Sequence, residues 1–414
     1  MRVRDLTADD FVAYRRLSGG AFGGPVATEA RPFAPGQTPL GIDSAALPGG
    51  ADGVIAAGAR IRHDTISLGG GVATCGGIAG LAVHPAHRGD GLFGSMLSAV
   101  IDRCAQEGMA FSMLYPSNPG IYRRYGYQVV AQGNAMIVPL VDLQRLRPAP
   151  DRRLVPVTEE TMPRLRALYR ELTAGENAML RREGPLFPGG LPAEGWQGLL
   201  LEDSQGRDHG YLSWTRVPER DDGVGLEVHE ALGRTRADRS ELLRSLGSWS
   251  TVTELVRVRL LTEDPLLDVL PGGRLRPDPQ VLPLVMMRVI DTAAALRARP
   301  APAGLQGTIR LVVEDGTVPA GSCRAEGTWI VTATEGTVGV SQEGAVDDDP
   351  TNPSGSAELG AAVLDIHAAS LLLTGGRRLA DARRLGLRAS ADPSAEHFLD
   401  TLLAGPRPSV LDSF

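Results

Sequence analysis

Three glycines, an arginine and a proline crowd the stretch Pro85–Gly94, which reads PAHRGDGLFG. It follows the strand-like end Leu81-Ala82-Val83, stopped by Pro85. It precedes a helical pattern with Leu92, Phe93, Met96, Leu97, Val100, Ile101 and Cys104 on one face. A strand that runs through glycines into a helix amino terminus presents unpaired N–H groups to an anion. Glycine permits the close approach that a pyrophosphate needs, and Arg88 can add a charge-assisted hydrogen bond. Taken literally, Gly89 to Gly94 is G-x-G-x-x-G, the dinucleotide fingerprint. The context is wrong for it: five residues including Pro85 separate the first glycine from the strand. The acid that should end a second strand is also missing, because Asp102 and Glu107 lie in or at the end of the same helix. A purely structural glycine turn is the remaining plain alternative.

A second chemical candidate lies downstream, in Ser117–Tyr127 (SNPGIYRRYGY). Tyr122 carries a phenol of pKa ~10, able to act as a general acid; position alone favours a packed aromatic instead, as Tyr125 and Tyr127 are expected to be. Other chemistries are excluded by residue type. All 42 basic residues are arginine, so lysine Schiff-base and Walker-lysine mechanisms are impossible. Cys75, Cys104 and Cys323 form no C-x-x-C pair, which argues against a disulfide framework or a zinc site, and Cys104 is expected in the core. His84 and His87 flank the glycine loop on its phosphate side, where cofactor contact or solvent exposure is expected. The other five histidines lack ligand spacing, so no metal is expected. No G-x-S-x-G elbow supports a serine triad.

The elements that must position these residues fall into three segments, divided at Leu146–Pro150 (LRPAP) and Ala295–Gly304 (ALRARPAPAG). The punctuation predicts domains over 1–150, 151–297 and 298–414, in the order α/β, α/β, then α+β. The first ends on a strand-like run, Asn134–Pro139, and the second on the apolar stretch Val285–Ile290. In the third, Thr308–Glu314 and Thr328–Thr334 read as strands, while Ala357–Leu373 and Ala395–Leu403 read as helices. Gly344–Gly355 is a loop by composition. A net charge of −7 argues against nucleic acid as the main partner and suits cationic small molecules better. Without a signal-peptide core or an apolar run of membrane-spanning length, a soluble cytoplasmic protein is expected.

Val83-His84-Pro85 followed by Arg88-Gly89-Asp90-Gly91-Leu92-Phe93 resembles the acetyl-CoA loop of the GNAT acyltransferases, V-x-P and then R/Q-x-x-G-x-G/A. Phe93 departs from the usual small residue. That departure, the Ser117–Tyr127 segment and the terminal Phe414 resemble the enhanced intracellular survival (Eis) family, whose pattern there is S-x-x-x-I-Y-x-R-F/Y-G-Y. The resemblance covers the chain in outline; its specific motifs lie in residues 81–127 and at the last residue.

The resemblance implies two GNAT-like domains and a sterol-carrier-like third domain, with acetyl-CoA as the acyl donor. The second GNAT-like domain is degenerate, since Thr235–Ser240 in the matching junction Val228–Trp249 has no R-x-x-G-x-G. By the same resemblance the backbone of Leu81, Ala82 and Val83 would hold pantetheine, and Arg88, Gly89, Asp90, Gly91, Leu92, Phe93 and Gly94 would cradle the pyrophosphate. Ser117 and Asn118 would flank the donor. Tyr122 would be the general acid and the α-carboxylate of Phe414 the base. The pattern often has an acid next to last, where Ser413 stands here, with Asp412 before it. The expected activity is direct acetyl transfer to amino groups of aminoglycosides or similar cationic polyamines. The alternatives are lysine acetylation of proteins or peptides and a non-catalytic lipid-binding or scaffold protein. The third domain is expected to act as a scaffold that delivers Phe414. A homohexamer is implied by the resemblance alone.

Overall fold

The computed structural model describes all residues except 1, 26, 188, 219–221, 271–273, 281, 344–358, 413 and 414. The whole Gly344–Gly355 loop therefore lies outside the described residues, as do Ser413 and Phe414.

The first sheet has eight strands. Along its main path these are Arg4–Asp5, Gln37–Asp43, Ile55–Leu68, Gly71–Val83, Phe111–Leu114, Leu284–Val289 and Gln128–Gln132; Asn177–Leu180 pairs with Ile55–Leu68. The long hairpin Ile55–Leu68/Gly71–Val83 turns on Gly69 and Gly70, both at positive φ (58° and 98°), as a two-residue turn matched to strand twist requires. Gly71–Val83 and Phe111–Leu114 run parallel, so the chain must cross over between them. It does so through the helix Leu92–Gln106, whose Leu92, Met96, Leu97, Val100, Ile101 and Cys104 are all buried against the sheet.

The second sheet repeats this plan. Its parallel pair, Val224–Gly233 and Leu255–Leu260, is bridged by the helix Arg236–Leu246. The two sheets are interleaved. Asn134–Pro139 pairs with Leu255–Leu260 in the second sheet, while Leu284–Val289 lies between Phe111–Leu114 and Gln128–Gln132 in the first. Each half of the molecule thus completes the other's sheet.

Among the described residues the third segment is a five-stranded sheet in the order Thr337–Gln342, Gly327–Thr334, Gly307–Glu314, Ala361–Asp365 and Ala389–Ala391, with three helices. One sequence expectation fails here. The run expected to be helical over Ala357–Leu373 is a strand over Ala361–Asp365, alternately buried and parallel to Gly307–Glu314. The helix starts only at Ile366, where the Asp365 carboxylate accepts from Ala368 N at 2.7 Å. Alanine-rich alternation satisfies both periods, and the free edge of the neighbouring strand decides between them. Ala357 itself lies outside the described residues. The last helix spans Pro393–Leu402. Ile366, Ala369 and Leu372 of the Ile366–Leu372 helix share one buried apolar cluster with Phe111, Met113, Val285, Met287 and Val289 of the first sheet. That sheet is therefore covered by the 92–106 helix on one face and by the third segment on the other.

Candidate active site

The parallel strands Gly71–Val83 and Phe111–Leu114 stay paired only from Cys75/Phe111 to Gly77/Met113. Beyond that point the first remains paired to Ile55–Leu68 and the second to Leu284–Val289, so the two part and leave a wedge. A bulge helps to open it: Gly58 faces Ala82 and Arg60 faces Ala79, leaving Gly80 and Leu81 opposite Ala59 alone. Gly80 takes φ +62°, and the Tyr14 hydroxyl donates to its carbonyl at 3.0 Å. The wedge holds a cavity of about 340 Å³ between Ile78–Leu81 on one side and Leu114, Tyr115, Ser117 and Tyr122 on the other. Strand edges with no ladder partner, as at Leu81–Val83 on the wedge side, can pair with the amides of an extended ligand.

At the mouth, Val83 leads through the short turn Pro85–His87 to the glycine loop. Gly89 and Gly91 adopt φ +102° and +78°, and a Cβ at either would meet open space, so backbone conformation rather than crowding demands glycine there. Gly91 is the N-cap of the 15-residue helix and has no side chain to cap it. The first-turn N–H groups of Leu92, Phe93 and Gly94 therefore have no intrahelical partner and suit an anion. Arg88, Gly89, Asp90 and Gly91 are exposed, and Arg88 with Val83, His84 and Pro85 lines a neighbouring cavity of about 350 Å³. The loop is built to receive an anion such as a pyrophosphate. Its counterpart in the second sheet is not: Thr235 and Asp238 form a capping box that fills the start of the 236–246 helix, and Asp238 brings a negative charge.

Tyr122 lies at the inner end of the wedge, buried, on the short helix Pro119–Arg123. Burial pushes its phenol above the ordinary tyrosine value, and a hydrogen bond with Ser117 opposes the shift. Phe93 stands edge-on to Tyr122 with ring centroids 5.4 Å apart and also touches Tyr125 at 6.4 Å. The bulky sixth residue of the loop is thus a wall of the Tyr122 site. The requirement for a small residue moves to Gly94, where a Cβ would sit 2.4 Å from the Tyr125 hydroxyl. Cys75, on the strand Gly71–Val83, and Cys104, on the helix Leu92–Gln106, are both buried. Burial pushes the Cys104 thiol up to about 12 and that of Cys75 well above its ordinary value, so neither is a nucleophile.

The carboxyl-terminal segment is held along its described length. Asn177 donates to Pro406 O at 2.6 Å and accepts at its backbone carbonyl from Ser409 N at 2.9 Å. Thr262 bonds Pro408 O and Ser409 Oγ, Arg259 donates to Leu411 O, and Arg182 grips the Asp412 carboxylate at 2.9 Å. The Tyr115 hydroxyl donates to Asp412 O. Because Tyr115 also lines the Tyr122 cavity, the described tail stops beside that cavity, two residues before Phe414.

The wedge and its mouth bring together Leu81, Ala82, Val83, Arg88 to Gly94, Ser117 and Tyr122. Some side chains have other work. The Asn118 amide oxygen caps its own helix, accepting from Gly120 N at 2.9 Å. Leu92 is core. His87 corrects the expectation of cofactor contact or exposure: it is buried, with Nε2 2.7 Å from the Ser44 hydroxyl. Asp412 is committed to Arg182 and does not face an acceptor as a free acid. The sequence reading missed Tyr14, Arg60 and Tyr115. Their partners lie tens of residues or more away in the chain, and no local spacing announces them.

Comparison with known proteins agrees with this geometry. Residues 2–130 match the model of a GNAT acetyltransferase domain, and residues 292–411 that of a sterol carrier protein domain. No curated protein matches the sequence. Among solved structures, a GCN5-related N-acetyltransferase from Kribbella flavida is 23% identical with a TM-score of 0.78, over 100% of this chain and 98% of that one. A GCN5-related N-acetyltransferase from Anabaena variabilis is 19% identical with a TM-score of 0.79, over 100% of each chain. Eis1 from Mycobacterium abscessus is 17% identical with a TM-score of 0.70, again over 100% of each. The chain carries a GNAT acetyltransferase domain over residues 2–130 and a sterol carrier protein domain over 292–411, and is an acyltransferase.

Proposed function

We propose that this chain transfers acetyl directly from acetyl-CoA to a primary amine, in the manner of the Eis-type GNAT proteins. The observation that carries the reading is the wedge between the parted strands, with the uncapped helix start at its mouth and Tyr122 at its inner end. In this reading the open edge of Leu81–Val83 pairs with pantetheine, and the loop from Arg88 to Gly94 holds the pyrophosphate. Backbone N–H at the bulge polarises the thioester carbonyl. Ser117 holds Tyr122 and Asn118 shapes the adjoining turn. The amine nitrogen bonds to the carbonyl carbon, the C–S bond breaks, and Tyr122 gives its proton to the sulfur. The proton lost by the amine passes to the carboxylate of Phe414, directly or through water. Support for that base is the buried tail, held by Arg259, Arg182 and Tyr115 to within two residues of the chain end. The buried, high-pKa cysteines favour direct transfer over an acyl-enzyme.

The test is a thiol-release assay with kanamycin, spermidine and a lysine peptide as acceptors. Tyr122→Phe should lower kcat by about 10²–10⁴-fold, the usual contribution of a general acid, with little change in acetyl-CoA affinity. Unchanged turnover would remove Tyr122 from the mechanism. Extending the chain beyond Phe414 should also cripple transfer; a fully active extended protein refutes the carboxylate base.

A further inference from the structure

Between the first sheet and the second domain lies a larger cavity, of about 580 Å³. Six arginines line it: Arg62, Arg166, Arg170, Arg181, Arg182 and Arg259. The carboxylates in the described lining are Glu230 and Asp412, and Arg182 binds both. Tyr211 also donates to Glu230. Burial raises the Asp412 carboxyl against the pull of Arg182; burial acts on Glu230 too, but Arg182 outweighs it and holds that group low. Behind the lining, Asp64 pairs with Arg62 at 2.9 Å, and Glu183 lies 3.8 Å from Arg170 and 3.6 Å from Arg181. Arg166 donates to the Gly190 carbonyl at 3.3 Å, a neutral partner. His229, bonded to Thr215, adds no charge at neutral pH, because burial and Arg259 push its pKa down. Arg259 donates to a carbonyl, Leu411 O, and burial lowers its pKa. Arg182 is held at φ +54° and stacks on Tyr169 at 4.0 Å, a conformation costly for arginine.

This cavity and the Tyr122 wedge both share walls with a third cavity. His229, Arg259, Leu411 and Asp412 also line a cavity of about 320 Å³, together with Glu227 and Arg257, and Tyr115 shares that cavity with the wedge. The wedge itself has Arg15 and Arg60 in its lining and no carboxylate among the described residues. Six guanidiniums gathered on one partly buried lining disfavour an ammonium and favour an oxyanion, which arginine can grip in a bidentate manner. On the acetyl-transfer reading above, we infer that the arginine cavity binds the far end of the acceptor, and that this end is an oxyanion such as a carboxylate. The acceptor is then an amine that carries negative charge at a distance, not a polyamine.

The experiment is a thiol-release assay on a series of ω-amino carboxylates, each beside the diamine and the alkylamine of equal chain length. The carboxylate member should exceed the diamine in kcat/KM by about tenfold or more. Arg166→Glu, on the cavity-lining face of the Met162–Leu172 helix, should reverse that order through KM, and Arg166→Lys should largely restore it. A wild-type preference for diamines overturns the inference and leaves acetyl transfer standing. No thiol release with any amine counts against the transfer reading itself. In that event calorimetric titration with glutarate decides the cavity separately: binding that Arg166→Glu weakens by about tenfold or more supports an oxyanion site, and absence of binding to the wild-type protein overturns it.

Discussion

Tyr122 owes its chemical usefulness to what surrounds it more than to being a tyrosine. Phe93 and the sheet take it out of water, which disfavours the phenolate and keeps the proton in place. An acid whose pKa is raised stays protonated to higher pH than a free phenol. Turnover should therefore rise as the acceptor amine deprotonates and show no alkaline decline up to pH ~10, the ordinary tyrosine value. A kcat profile that falls well below that pH, and keeps its fall in Tyr122→Phe, assigns the proton donor elsewhere. Ser117 opposes the shift by bonding the hydroxyl, so Ser117→Ala should move any alkaline limb upward rather than downward.

The working parts of the glycine loop belong to the helix that follows it. Gly91 ends the loop at φ +78° with no side chain, so the helix starts uncapped and its N–H groups remain available. A residue with a Cβ at this position pays ~1–2 kcal/mol for the left-handed conformation, although nothing crowds it. Gly91→Val should accordingly raise KM for acetyl-CoA several-fold and leave kcat at saturating donor little changed. Steady-state kinetics with donor and acceptor varied in turn would check this, and an unchanged KM would detach the loop from donor binding. The second domain shows the same element put to a different use. There Thr235 and Asp238 satisfy the helix start themselves, and an anion finds neither free donors nor a favourable field.

At the scale of the molecule, the third segment serves the first through buried polar ties. Arg288, on the strand that the second half contributes to the first sheet, is fully buried. It pairs with Asp315 and donates to the Tyr125 carbonyl, three residues after Tyr122. Ser370 donates to the Gly126 carbonyl at 3.0 Å and accepts from Val289 N at 3.1 Å. Arg288→Ala leaves the Asp315 charge buried without its partner, and should cost about 3–5 kcal/mol. Urea unfolding, read by the midpoint and by the slope, measures that loss. A change under about 1 kcal/mol, the range of an exposed pair, would show that the tie is dispensable.

Much of the site was legible in the chain because it is local. A strand end, a proline, glycines at fixed spacing and a helical apolar stripe follow one another within Leu81–Cys104, and backbone sterics alone dictate their order. Ser117 to Tyr127 was legible for the same reason. Residue types alone also excluded lysine chemistry. Tertiary structure decided what depends on distant partners. The bulge at Gly80, the hydroxyls of Tyr14 and Tyr115, and the exchange of Asn134–Pro139 for Leu284–Val289 join residues far apart in sequence. A short apolar strand carries no mark of the sheet that will receive it, because either buried edge satisfies it equally. The charge inside the molecule was equally hidden. A chain of net charge −7 encloses a cavity faced by six arginines, since totals count every charge and a site feels only those that folding brings to it.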